Sequence, residues 1–255
     1  MYAPLQILSA YSLLKNPNTI SQIIQTAKAR HYDAIALTDQ NVMYGAVAFY
    51  QTALQHGIKP LFGVTLSVSG LVNTATTFPM IFMAETQVGY QNLMWLSSAK
   101  MTAKTDDMPL SAMTEHLAGL NVILPAESEL TQFIAAAYDD LETYWQQLTN
   151  VIAPEHLYVG INPQMATQIK ERLAAFQVAT QAQLIALDDV AYLNADDGFT
   201  TQVLKSIDAN VKLEGIKALA QQAGTQILQD FKQIQAAYQS SEILKAAFLA
   251  NERLV

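Results

Sequence analysis

The sequence predicts an α/β fold: a distorted (βα)7-type barrel with a helical C-terminal extension. Short apolar runs of strand length alternate with segments of helical period from the first residues to Leu187. The alternation gives about seven strands, each followed by helix or loop, which a closed or nearly closed barrel accommodates better than an open sheet. From about Ala195 onward no strand candidate remains and the pattern is helical only.

Taken in order, Leu5 to Ser9 reads as the first strand. Thr19 to Arg30 reads as a helix, with Asn18 or Thr19 at the N-cap and Ile20, Ile23, Ile24 and Ala27 along one face. Ala34 to Leu37 is a short buried strand, and Met43 to His56 a helix stopped by Gly57, which accepts left-handed backbone without a Cβ penalty. Lys59 to Val68 returns to strand, so these stretches read as βαβ units with parallel strands. Leu71 to Phe78 reads as a flexible hairpin or loop. Pro79 to Ala84 is a strand, Val88 to Met101 a helix and Asn121 to Leu124 a short strand. Leu130 to Gln147 reads as one helix carrying Phe133, Tyr138, Tyr144 and Trp145. His156 to Ile161 and Leu184 to Leu187 are the last strands, with a helix from Met165 to Thr180 between them. Residues 1–210 are therefore expected to form the barrel domain and 211–255 a truncated helical extension, since the chain stops at Val255 without a helix stop signal.

Composition narrows the functional classes. Hydrophobic residues make up 51% of the 255, enough for one sizeable core. The net charge of -8 supplies no global basic field for gripping nucleic-acid phosphates. With no cysteine there is no disulfide, thiolate metal site or Cys nucleophile, which fits a cytoplasmic protein. The start lacks a basic signal-peptide region, and no apolar run approaches the roughly 18 residues of a membrane span. Phosphate-binding glycine loops, HExxH and GxSxG are all missing. His31, His56, His116 and His156 read as structural, the first two at helix ends where a cation meets the dipole. Asp188, Asp189, Asp196 and Asp197 crowd one loop, the last two as N-capping residues before Phe199.

Specific signal lies in a few segments. Ser9 to Leu14 reads SAYSLL just after the first strand. Ala36 to Ala46 reads ALTDQNVMYGA, followed by AFY from Ala48 and GIKP from Gly57. Gly89 to Leu93 reads GYQNL, and Ile185 to Leu193 reads IALDDVAYL. In this order, across about residues 3 to 210, they resemble the PHP domain at the N-terminus of bacterial DNA polymerase III α subunits. That family reads HxHSxYSLLD, ALTDHGNMYGAVEFY, GIKPIxGxE, GYxNL and ATNDVHYL.

The resemblance implies a barrel whose C-terminal mouth, in active members, gathers His, Asp and Glu around metal ions that activate water for phosphoester hydrolysis. Matched position by position, the two histidines of HxH are here Gln6 and Leu8, and the Asp after SLL is Lys15. The His of TDH is Gln40, the Glu of GxE is Thr65, and a fourth-strand His falls at Pro79. The fifth-strand Cys corresponds to Ala126 and the His of DVHY to Ala191. Of the ligands Asp189 is kept, with Asp39 beside the former His. The implied domain has no catalytic residue, no metal and no cofactor of its own. Leu8 and Ala191 are expected as apolar filling of the vestigial cleft, and Gln6, Gln40 and Thr65 as hydrogen-bonded neutral groups. The Lys15 ammonium is expected within salt-bridge reach of Asp39 or Asp189. The parent subunit would be a DNA-directed DNA polymerase of replication, using Mg2+ held by palm aspartates beyond residue 255. Implied partners are the polymerase core of the same chain and, in some relatives, a proofreading exonuclease, with DNA reached through the rest of the protein and no membrane. The alternative is a divergent metal-dependent phosphoesterase or proofreading exonuclease with a rebuilt site.

Overall fold

The structure, a computed structural model, describes residues 1–103, 108–138, 140–194, 197–208, 210 and 226–255. Strands β2 (Ala34–Leu37), β3 (Lys59–Ser69), β4 (Thr77–Ala84), β5 (Leu120–Leu124), β6 (Leu157–Ile161) and β7 (Gln183–Ala186) form one curled sheet in that order. Strand β1 (Gln6–Ile7) pairs in parallel with β8 (Asp189–Val190), setting Gln6 against Asp189. On its other side β1 meets β2: the Ala36 N–H donates to the Pro4 carbonyl (3.0 Å) and the Thr38 N–H to that of Ile7 (2.9 Å). The segment around β1 thus spans the gap between the first strand of the sheet and the last. A two-residue strand such as β8 carries too little periodicity to be read from sequence.

Among the described residues all strand pairs are parallel except the two made by β4. Residues 70–76 connect β3 to β4 with no helix between, so β4 can only return antiparallel. The reversal brings Pro79 to the C-terminal mouth of its neighbours, opposite Ser67. Pairing of β4 with β5 begins only at Ile81, so the missing N–H of Pro79 lies where β4 has a partner on one side. Loop 71–73 is tied to the barrel, because the buried Glu129 carboxylate accepts the N–H groups of Leu71 (2.7 Å), Val72 (3.3 Å) and Asn73 (2.8 Å).

The strand period of two divides the core. Ala34, Ala36, Ile81, Met83, Ile123, Ile185 and Leu187, with Ala3 and Leu5, pack together inside the barrel. Alternate residues such as Ile35, Phe82, Val122 and Leu184 face out, against the helices. Those helices are α1 (Ile20–Ala29), α2 (Ala46–Gln55), α3 (Gln87–Thr102), α4 (Glu129–Ala136), α5 (Leu141–Thr149), α6 (Thr167–Thr180), α7 (Asp197–Asp208), α8 (Phe231–Tyr238) and α9 (Glu242–Leu254). Thr19 caps α1 in a box with Gln22, and Ile20, Ile23, Ile24 and Ala27 are its buried face. Gly57 follows α2 at φ +67°. The single helix expected over 130–147 is instead two, α4 and α5. Ala137 turns left-handed at φ 54°, and the Tyr138 N–H closes back on the Phe133 carbonyl at 3.0 Å. Alanine is a strong helix former, so propensity hides this break. The turn stacks Tyr138 on Phe133 (4.5 Å) and brings Tyr144 edge-on to the same ring (5.3 Å).

The C-terminal helices share this core. Tyr238, Leu244, Ala247 and Phe248 are buried in it, and the Tyr2 ring stacks on Phe248 at 4.6 Å and 2°. The boundary expected between 210 and 211 adjoins residues outside the described set. Among the described residues no helix is long and apolar enough to cross a membrane.

Candidate functional site

The mouth lies where the parallel strands end. After β1 the chain turns through 9–15; after β2 it reaches Asp39, which is 1% exposed. The Asp39 carboxylate accepts three hydrogen bonds: the Ser9 N–H (2.6 Å), the Ser9 hydroxyl (2.7 Å) and the Ser12 hydroxyl (2.6 Å). Charge-assisted bonds of this kind compensate a buried anion without a cation. The Gln40 N–H donates to the Ser12 oxygen (2.9 Å), and its side-chain amide reaches the Ser67 hydroxyl at 3.4 Å. The Thr65 hydroxyl donates to the Thr38 carbonyl (2.9 Å).

A second carboxylate group follows β7. The carboxylate of Asp188 is enclosed, although the residue as a whole keeps some exposure, and it accepts from the hydroxyls of Tyr2 and Tyr238, the latter at 3.2 Å. Burial pushes the Asp188 carboxyl up to about 6; the two phenol hydrogen bonds oppose the rise and the charge of Asp189 adds to it. Burial likewise holds both tyrosines well above their ordinary range. Asp189, half-buried, accepts from the side-chain amide of Gln226. The Ala191 N–H donates to the Gln226 carbonyl (2.9 Å), and the Asn16 side chain donates to the Ala191 carbonyl (2.9 Å).

Lys15 does not approach Asp39 or Asp189. Its ammonium lies 2.6 Å from the Asp208 carboxylate of α7, with the two side chains 37% and 40% exposed. Asp39 already has donors, so desolvating a lysine beside it would gain little. Gln6, Leu8, Gln40, Ala126, Asp189 and Ala191 are half-buried, whereas Thr65 is buried. Leu8 and Ala191 therefore border the mouth rather than fill a core.

This set does not fit a metal cluster, which needs several anionic or imidazole donors on one ion. Leu8, Ala126 and Ala191 offer no side-chain donor atom, and the hydrogens of Ser9 and Ser12 face Asp39. Among the described residues no three His, Asp or Glu side chains come together to hold an ion. The histidines sit apart. His56 contacts the Thr52 carbonyl (2.9 Å), His116 stacks on Trp95 (3.5 Å) and His156 meets Asn121 (3.0 Å). His31 takes φ 65° at the end of α1. Asp197 opens α7 and its carboxylate reaches back to the Asn194 N–H (2.9 Å); Asp196 lies outside the described residues.

Ser9 and Ser12 were legible as part of SAYSLL but not as the cage around Asp39. Tyr2, Gln226 and Tyr238 gave no local signal, because their partners lie 186, 37 and 50 residues away.

Barrel and mouth together define the class: an α/β barrel whose C-terminal mouth holds carboxylates enclosed by uncharged donors. Solved structures of similar fold include an amidohydrolase from Chromobacterium violaceum with bound sulfate and no metal (13% identity, TM-score 0.50, covering 75% of this chain and 88% of that one). A Bifidobacterium adolescentis protein assigned as a metal-dependent phosphoesterase is similar (10%, TM-score 0.50, 73% and 86%). At such identities the likeness speaks for the fold alone. The chain belongs to the PHP domain family, whose model matches residues 4–164. It is 26% identical over 215 residues to DNA polymerase III subunit alpha of Bacillus subtilis, covering 83% of this chain and 19% of that protein. With the subunit alpha of Staphylococcus epidermidis it shares 28% over 217 residues (84% and 17%). A Staphylococcus aureus subunit alpha is 38% identical over 104 residues (40% and 10%). The chain spans about a fifth of the length of these relatives at most.

Proposed function

We propose that this chain is the N-terminal PHP domain of a DNA polymerase III α subunit, metal-free and without catalysis of its own, serving the replicative polymerase as a scaffold and interaction domain. The observation that carries the metal-free part is the mouth itself: where a cluster would need donors, Asp39 is enclosed by hydroxyls and the other positions hold Leu8, Lys15, Gln40 and Ala191. The outer face of α2 supports the interaction part. Val47, Tyr50 and Leu54 are exposed along it, with Tyr44 exposed just before it, and no Asp, Glu, Lys or Arg occurs from Gln40 to Ile58. On α1 the matching solvent face is Ser21, Gln22, Gln25 and Lys28. An uncharged, aromatic-rich face suits the core of a protein interface rather than nucleic acid. Its partner in this reading is the polymerase core, which would bring its own Mg2+ and DNA contacts.

Elemental analysis of the dialysed chain tests the reading, together with a phosphodiester assay in added Mn2+, Zn2+ or Mg2+. Substoichiometric metal and background hydrolysis are expected. About two or more ions per chain, or hydrolysis that disappears in Asp189→Ala, would instead establish a phosphoesterase or exonuclease with a rebuilt site. Acidic palm motifs in the gene downstream of residue 255 test the assignment to the polymerase.

A further inference from the structure

The mouth loop 188–192 is held from outside the barrel by a distant segment of the same chain. The Gln226 carbonyl accepts the N–H groups of Ala191 (2.9 Å) and Tyr192 (3.3 Å), while its side-chain amide donates to Asp189. The Leu228 N–H donates to the Tyr192 carbonyl at 3.2 Å. The Tyr238 hydroxyl of α8 lies within hydrogen-bonding reach of the Asp188 carboxylate (3.2 Å) and the Ile161 carbonyl (3.1 Å).

The other end of this segment is anchored elsewhere. Asn251 of α9, fully buried, accepts the Ala3 N–H (3.0 Å) and donates to the carbonyls of Ala3 (2.9 Å) and Ala186 (3.0 Å). Ala250, Leu254 and Val255 pack against the interior layer of the barrel, and Lys59 at the start of β3 donates to the Val255 carbonyl. The segment therefore runs from the mouth loop along β7, whose last residue Ala186 meets Asn251, to Ala3 before β1 and Lys59 at the start of β3. Between its ends, Phe248 of α9 stacks on the Tyr2 ring, and the hydroxyl of that same tyrosine reaches Asp188. Tyr238, whose hydroxyl also reaches Asp188, packs on the same Phe248 at 5.6 Å, so two aromatic side chains join the seat of α9 to the mouth loop.

We propose that residues 226–254 are a strap that fixes the mouth loop where active members of the class would have metal, and that the seating of α9 and the order of loop 188–192 are one cooperative unit. This rests on the metal-free reading above. The physical ground is the number of buried polar groups each side satisfies for the other. Asp188 has the phenols of Tyr2 and Tyr238 as donors, and both of those rings pack on Phe248 of α9. If α9 lifts, Tyr2 loses its stacking partner, and an enclosed carboxylate loses a donor whose absence is costly.

Hydrogen exchange on the whole chain tests the coupling, comparing wild type with Asn251→Ala. Asn251 has its hydrogen bonds with Ala3 and Ala186 and none with loop 188–192. Exchange in peptides covering 188–194 and 226–230 is expected to rise at least about tenfold together with 248–255, because Asn251→Ala removes three buried hydrogen bonds. Strands β3 to β5 should keep their protection. Fraying of 248–255 with 188–194 unchanged overturns the proposal. Should β3 to β5 exchange faster as well, Tyr238→Phe decides, since it removes only a hydroxyl at the mouth end: faster exchange at 248–255 supports the strap, and no change there refutes it. Metal analysis of the same wild-type samples separates the two readings. Bound ions would refute the metal-free reading, whereas uncoupled exchange in metal-free protein would refute the strap alone.

Discussion

At the scale of single residues, the mouth keeps its carboxylates by surrounding them with neutral donors. Asp39→Ala leaves the hydroxyls of Ser9 and Ser12 and a buried N–H without their acceptor. A loss of about 3 kcal/mol is expected in urea unfolding, against about 1 kcal/mol for Ser12→Ala, which removes one donor. Lys15→Ala should cost under about 1 kcal/mol, because its pair with Asp208 is solvent-screened; a larger loss would point to a buried role for Lys15. Asp188 gives a pH signature. Its folded value, about 6, lies above the ordinary 3.8, so the folded state binds the proton more tightly. Its contribution to stability is full below the ordinary value and is lost as pH rises through the folded one. Wild type should therefore lose stability relative to Asp188→Asn between about pH 4 and 6, and parallel pH profiles of the two proteins would contradict this.

At the scale of elements, the close approaches are the sensitive points. Gly89, in the first turn of α3, sits so near the turn before β5 that a Cβ there would run into the Gly119 carbonyl. Backbone cannot yield as a flexible side chain can, so Gly89→Ala should destabilise by about 2–4 kcal/mol. A thermal midpoint unchanged from wild type would mean that α3 can shift away. This gives a physical reason for glycine in the GYQNL segment, which the sequence alone could mark only as a resemblance. The β1, β2 and α1 elements were legible because their apolar patterns and caps act locally. The break between α4 and α5 was not, because an alanine takes a left-handed turn there for the sake of packing Phe133, Tyr138 and Tyr144.

At the scale of the whole molecule, the C-terminal helices complete the barrel. Without α9, the polar groups of Ala3 and Ala186 lose Asn251, and the Tyr2 ring loses Phe248. A fragment of residues 1–225 is therefore expected to show no cooperative thermal transition and little near-ultraviolet circular dichroism. A sharp transition near that of the full chain would show that the barrel folds independently of the strap.

The sequence by itself determined the α/β alternation, the family and the loss of ligands at the mouth, because strand and helix periods are local and each ligand position is a matter of residue type. It could also place Asp39 and Asp189 at strand ends. Only the tertiary structure decided what balances them. Lys15 is the cation that the resemblance sets at a former ligand position, and charge arithmetic alone would have paired it inward. The solvation cost of a lysine sends it to Asp208 at the surface, while Ser9, Ser12, Tyr2, Gln226 and Tyr238 supply uncharged donors. Those partners come from both ends of the chain, and a hydrogen bond across 186 residues leaves no periodicity or spacing to read.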